Sequence, residues 1–168
     1  MTEYKKSNDN KSELNEPAMA YGLGITTLDL LIDILGISNL AKKLKNSLDL
    51  LKMAENGFPI KVLKNLQKRT QFTNRQIGIV LDMSESTVQR RIRDNQKLDK
   101  KQSESAVQLA SVWVKGLEVF EDEDDFRTWL NTENQALGGN KPLALLHSSI
   151  GREEVKNVLN RIAWGIYS

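Results

Sequence analysis

Cysteine is absent from the chain and histidine occurs once. Without thiols there is no disulfide to brace the fold and no thiolate metal site, which suits a reducing compartment. The N-terminus lacks an apolar run long enough for a signal peptide or a membrane span, so a cytoplasmic protein with no membrane partner is expected. Strand-type alternation of useful length is missing too, and the expected fold class is all-α. Enzyme signatures are scarce. There is no Walker loop and no dinucleotide fingerprint, and His147 has neither a cysteine nor an obvious acidic orienter near it in sequence, so it reads as a helix-end or surface residue rather than a base. The carboxylates from Glu121 to Asp125 come without a histidine and without an alternating ligand loop carrying its glycine. No catalytic, cofactor-binding or metal-binding residue is assigned, and no enzyme is expected.

What is present begins with 39% hydrophobic residues in a chain of 168, enough for the core of one domain or two small ones. The net charge of +2 conceals a strong asymmetry. From Lys61 to Lys101 there are 11 cations against 4 acids, a net of +7, whereas the residues from Gln102 onward carry −4 and the first 60 carry −1. A concentrated basic segment favours nucleic acid as its partner, and the acidic remainder should face something else.

The basic segment contains FTNRQIGIVLDMSESTVQRRIRD, Phe72 to Asp94, which reads as a helix-turn-helix. Thr73 can cap a first helix that turns Ile77 and Leu81 inward, with Gly78 small enough for a second helix to cross closely. Ser84 can cap that second helix, with Val88 and Ile92 on its buried side. The turn position after Leu81 favours a left-handed backbone and is held by Asp82, one of the few residues besides glycine that tolerate it. At about 100° per residue from Val88, Ser86, Arg90 and Arg93 fall on the far side and Gln89 on the flank. Arginine can donate two bonds to a guanine edge and glutamine can match adenine, while Ser84 and the helix N-terminus can hold a phosphate. The expected DNA-facing set is Thr73, Arg75, Ser84, Glu85, Ser86, Thr87, Gln89, Arg90 and Arg93. The alternative is two packed helices with a solvated basic face.

Residues 1–20 are polar with little to bury and read as a disordered arm. In an N-terminal helical segment, 21–58, Thr27 can cap a helix with Leu28, Leu31, Ile32 and Leu35 on one side, ended by Gly36. Ser38 can cap a second with Leu40, Leu44, Leu48 and Leu51, ended near Gly57. These stripes suit either core or a self-association surface. The DNA-binding domain, 59–101, opens with a helix after Pro59 that buries Ile60, Leu63 and Leu66, and closes with a polar connection, NQKLDKKQ. A C-terminal helical domain, 102–168, begins with a long helix from about Ser103 to Phe120 burying Ala106, Leu109, Ala110, Trp113, Gly116, Leu117 and Phe120. The run Glu121 to Asp125 starts a helix with Phe126, Trp129 and Leu130 inward, where the acids serve either the helix dipole or a binding role. Gly138 and Gly139 make a loop, Pro142 opens a short helix through Leu146, and Gly151 precedes a last helix with Val155, Val158, Leu159, Ile162 and Ala163 inward.

SESTVQRRI from Ser84, the Ser103-Glu104-Ser105 start of a helix ending GLEVF at Phe120, RTWL at Leu130, ALGGNKPLALL from Ala136, SSIGREEV ending at Val155 and LNRIAWG ending at Gly165 follow one another in an order that resembles the Xre/MbcA/ParS family of antitoxins. The resemblance runs from about Pro59 to the C-terminus. It departs at Ala106 and Val107, where the family usually has an arginine, at Gly116, where it has an alanine, and at His147-Ser148, where it commonly has Asp-Thr. The resemblance implies a bacterial toxin-antitoxin pair in which the C-terminal domain masks the toxin and the helix-turn-helix represses the operon. It also implies a RES-type toxin, which consumes NAD, as the common partner. Operator double-stranded DNA is the second partner, and a homodimer is expected because one helix-turn-helix reads only a half-site. The toxin-binding set is Arg161, Trp164, Ile166, Tyr167 and Ser168, with Trp164 open to a core role instead. Two other readings stand beside it: a stand-alone helix-turn-helix regulator whose C-terminal domain senses or dimerises, and an adaptor whose helix-turn-helix is only structural.

Overall fold

A computed structural model describes residues 26–39, 44–120 and 122–165. The expected arm, 1–20, and Leu40 lie outside them. Helix α1, Thr27–Leu35, is capped by Thr26 rather than Thr27, because Asp29 accepts from the Thr26 amide at 2.8 Å while the Thr26 hydroxyl accepts from the Asp29 amide at 3.2 Å. Leu31, Ile32, Ile34 and Leu35 are buried, and Gly36 ends the helix at φ 64°. Helix α2, Ser47–Glu55, starts from Asn46 and not from Ser38. Its buried residues are Leu50 and Ala54, whereas Leu48 is 64% and Leu51 46% exposed. The expected leucine stripe is therefore not the core face. Packing against a later helix, Lys100–Leu117, selects the Leu50 side instead.

Helix α3, Ile60–Thr70, follows Pro59 and buries Ile60, Val62, Leu63 and Leu66. Helices α4, Asn74–Val80, and α5, Glu85–Arg93, come next. The connection read as polar, NQKLDKKQ, contains Leu98, which is fully buried and whose amide donates to the Phe58 carbonyl at 2.8 Å. Asp99 then caps helix α6, Lys100–Leu117, through a reciprocal pair with Gln102, so this helix starts before the expected Ser103 and ends before Phe120. Helices α1, α2, α3 and α9 (Ser149–Ala163) all pack on α6, which makes it the axis of the fold. Each large apolar side chain fully buried along it contributes about 1.5–3 kcal/mol.

Helix α7, Glu123–Leu130, lays Phe126 into an aromatic cluster with Trp113 at 4.9 Å, Phe120 at 5.6 Å and Trp129 at 6.0 Å between ring centres. A 3-10 turn, Gln135–Leu137, leads through Gly138 and Gly139, both at positive φ, to α8, Pro142–Leu145. Helix α9 is capped by Ser148, and Gly151, expected ahead of the helix, lies in its first turn. A Cβ there would stand 2.0 Å from the Leu145 carbonyl oxygen, so close contact with α8, not chain reversal, explains the glycine. Val155, Val158 and Leu159 are buried and Ile162 half-buried, but Ala163 faces solvent. The described residues are helical, with a single isolated bridge between Asn134 and Asn140 and no strand. No described helix is long and apolar enough to cross a membrane.

Candidate functional site

Both helices of the α4–α5 pair are fixed by local hydrogen bonds that their sequence prescribes. The Thr73 hydroxyl accepts from the Gln76 amide at 3.2 Å and the Gln76 side chain accepts from the Thr73 amide at 2.9 Å. The Ser84 hydroxyl accepts from the Thr87 amide at 3.1 Å and lies 3.0 Å from the Ser86 hydroxyl. Between the helices Asp82 takes the left-handed conformation at φ 56°, and the Met83 amide donates back to the Gly78 carbonyl at 2.8 Å. Gly78 permits this closure, since a Cβ on it would fall 2.6 Å from the Met83 carbonyl oxygen and 3.3 Å from Val88. Ile77, Leu81 and Val88 are fully buried and Ile92 half-buried, as the apolar seam requires.

With Val88 inward, Thr73, Arg75, Ser84, Glu85, Ser86, Gln89, Arg90 and Arg93 are exposed and Thr87 is half-buried. The three arginines of α5 differ in their engagements. Arg91 folds back to donate to the Lys97 carbonyl and sits 3.6 Å from Asp99. Arg93 grips Asp94 with two bonds, Nε at 2.7 Å and Nη2 at 3.1 Å, which holds the Asp94 carboxyl below its ordinary range and raises the guanidinium. Arg90 makes no ion pair among the described residues, which leaves its fork available to a ligand. Lys101 pairs with Asp82, so the start of α6 braces the turn and holds the Asp82 carboxyl below its ordinary range.

Within the acidic run, the side chains of Asp122, Glu123 and Asp124 engage the framework, and Glu121 lies outside the described residues. Asp122 caps α7 by accepting from the Asp125 amide at 2.8 Å. Glu123 meets Arg69 at 2.5 Å and Arg127 at 3.1 Å, and Arg69 also reaches Asp33 on α1 at 3.1 Å. Arg127 closes the network on the Arg69 carbonyl at 2.7 Å and on Asp124 at 2.8 Å. Among the described residues no group of three or more His, Asp and Glu could hold a metal ion, and the His147 Nδ1 lies 2.8 Å from the Ala144 carbonyl at a helix end.

On α9, Trp164 is 81% exposed, which removes it from the core, and Arg161 is half-buried. Ile166, Tyr167 and Ser168 lie outside the described residues. Two residues of this helix were not singled out by sequence. Ile150, 77% exposed, sits about 140° around the helix from the buried Val155, so the period of the pattern could have flagged it. Arg152 is 6% exposed and donates to Gln108, Val80 and Leu146. Arginine is rarely buried without an acid, and no local pattern announced it.

Residues 49–111 match the antitoxin Xre-like helix-turn-helix domain, and residues 115–165 match the antitoxin Xre/MbcA/ParS C-terminal toxin-binding domain. The junction between the two segments falls inside α6. Among solved structures, a chain of the crystal structure of the M. tuberculosis MbcT-MbcA toxin-antitoxin complex is similar at a TM-score of 0.48 and 20% sequence identity, over 74% of this chain and 100% of that one. No curated protein matches the chain.

Proposed function

From the premise that this chain belongs to the Xre/MbcA/ParS-type antitoxins, with an Xre-like helix-turn-helix joined to a toxin-binding domain, we propose that it neutralises a NAD-consuming RES-type toxin and represses its own operon. The observation that carries the reading is a division of exposed chemistry. The α5 face offers Gln89, Arg90 and Arg93 to a polyanion, while α9 offers Ile150 and Trp164 to an apolar partner. Base edges and phosphates are met by such a cationic, hydrogen-bonding helix. Exposed large apolar side chains, Trp above all, are the usual anchors of a protein interface.

Co-expression with the product of the adjacent reading frame tests the reading. A stable complex is expected, with NAD depleted in cells that express the partner alone and restored when both are present. A labelled fragment of the upstream region should bind the complex or the free antitoxin with an affinity that falls as salt rises. Absence of any complex would overturn the toxin half; salt-independent or absent binding would overturn the DNA half.

A homodimer belongs to the same proposal, because a single helix-turn-helix reads only a half-site and two-fold proteins read palindromes. Leu48 and Leu51, exposed on α2, supply apolar surface that a second copy can cover. Sedimentation at micromolar concentration should show two chains, and Leu48→Glu with Leu51→Glu should shift it toward one.

A further inference from the structure

Arg152 is nine-tenths buried and faces no carboxylate; its partners are three neutral oxygens from three separate elements. Its Nη1 donates to the Val80 carbonyl at 3.3 Å and to the Leu146 carbonyl at 2.6 Å, while Nε donates to Gln108 on α6 at 2.9 Å. Val80 and Leu146 stand at the C-terminal ends of α4 and α8, where backbone carbonyls lack partners within their own helix. A cation is favoured at such ends, and the fork of a guanidinium can serve two directions at once where an ammonium acts as a point. Burial lowers the guanidinium from its ordinary value, as expected where no anion compensates the lost water.

We propose that Arg152, supplied by the toxin-binding segment, is a positioning residue for DNA reading: it sets the angle of the helix-turn-helix on the rest of the protein. The inference rests on the DNA-reading role proposed above. Val80 ends α4, and the turn through Asp82 that aims α5 follows it directly. Helix α5 has 9 residues, about 13 Å of axis, so a tilt of about 10° at the turn carries its far end through about 2 Å. Bonds to base edges do not survive a displacement of that size. Contacts to phosphates do, because they depend on charge more than on fixed geometry.

The test compares affinity for the upstream operator with affinity for random duplex of equal length, well below the melting temperature. Arg152→Met should lose operator affinity by about tenfold, the worth of one good base contact, with random-duplex affinity within about twofold of wild type. Arg152→Lys should recover part of the ratio. A residue that only stabilised the fold would lower the melting temperature and leave the ratio of the folded protein unchanged; that result overturns the proposal. Should Arg152→Met fail to fold, Gln108→Leu at an exposed position removes the Nε acceptor alone and should lower the ratio by a smaller factor, with an unchanged ratio again overturning the proposal. A wild-type protein that binds operator and random duplex equally would instead overturn the DNA-reading role itself.

Discussion

Phe126 lies so close over Gly116 that a Cβ on the glycine would stand 2.3 Å from the ring. The ring cannot retreat, because it is fully buried, stacked on Phe120 and Trp129 and met edge-on by Trp113. A methyl group at position 116 is therefore excluded by the aromatic ring opposite. Gly116→Ala should destabilise the protein by about 1–3 kcal/mol, the usual cost of overpacking a filled core. Thermal melting checks it, and a smaller aliphatic residue at Phe126 should restore part of the loss in the double variant.

At the turn of the helix-turn-helix, Asp82 combines a left-handed backbone with an ion pair to Lys101. Asp82→Asn keeps the tolerance for φ 56° and loses only the pair, whereas Asp82→Ala loses both, so the melting temperature should fall further for alanine. The carboxyl is held below its ordinary value by Lys101, so its contribution is present above about pH 4 and is lost as pH falls through the folded value. Lys101 is raised by the same pair, so its contribution is present below the ordinary lysine value and is lost as pH rises through the folded one. Wild type and Asp82→Asn should therefore converge in melting temperature in acid and differ at neutral pH.

The features legible in the sequence are those written in short stretches of chain. Thr73, Ser84 and Asp82 act through partners within a few residues, and the Val88 seam follows from helical period alone. Where burial is decided by a distant element, local pattern misled. Leu48 and Leu51 look like a stripe, yet α6 selects Leu50 and Ala54; Leu98 sits in a lysine-rich run, yet its amide answers Phe58 forty residues earlier. Gly151 reads as a residue ahead of the last helix because its actual cause, close contact with the Leu145 carbonyl, comes from α8. Arg152 was hidden for the same reason, since only the assembled fold brings Val80, Leu146 and Gln108 to one guanidinium.

Arg90 should matter more to operator binding than Arg93. Arg90 makes no salt bridge among the described residues and feels Asp94 only at longer range, whereas Arg93 must first release that carboxylate. Arg90→Ala should cost about 1–3 kcal/mol if its fork meets a base edge. Arg93→Ala should cost less, and Asp94→Asn should raise affinity at low salt by freeing the guanidinium. Anisotropy titrations check all three, and an Arg90→Ala, Arg93→Ala double variant that binds operator like wild type would remove α5 as the reading helix. Rescue of toxin-expressing cells should survive each change.

Trp164 and Ile150 stand at opposite ends of α9, and both are too exposed to support the fold at 81% and 77%. With Ser149–Ala163 spanning 15 residues, the two are about 20 Å apart along the axis, a distance that a standard protein interface covers. If the toxin lies along this helix, the tryptophan should be the larger anchor, because buried aromatic residues dominate such contacts. Trp164→Ala should leave the melting temperature and operator affinity unchanged while costing at least about 2 kcal/mol in toxin affinity. Ile150→Ala should cost less, and Ile150→Asp more than alanine. Arg161, half-buried about one turn before Trp164, should contribute through an acidic group of the toxin, so Arg161→Gln should weaken the complex more at low salt than at high. Deleting Gly165 to Ser168 extends the test to Ile166 and Tyr167: loss of rescue with an unchanged melting temperature would assign them to the toxin, a collapsed melting temperature would assign them to the core, and full rescue by both the deletion and Trp164→Ala would place the interface elsewhere.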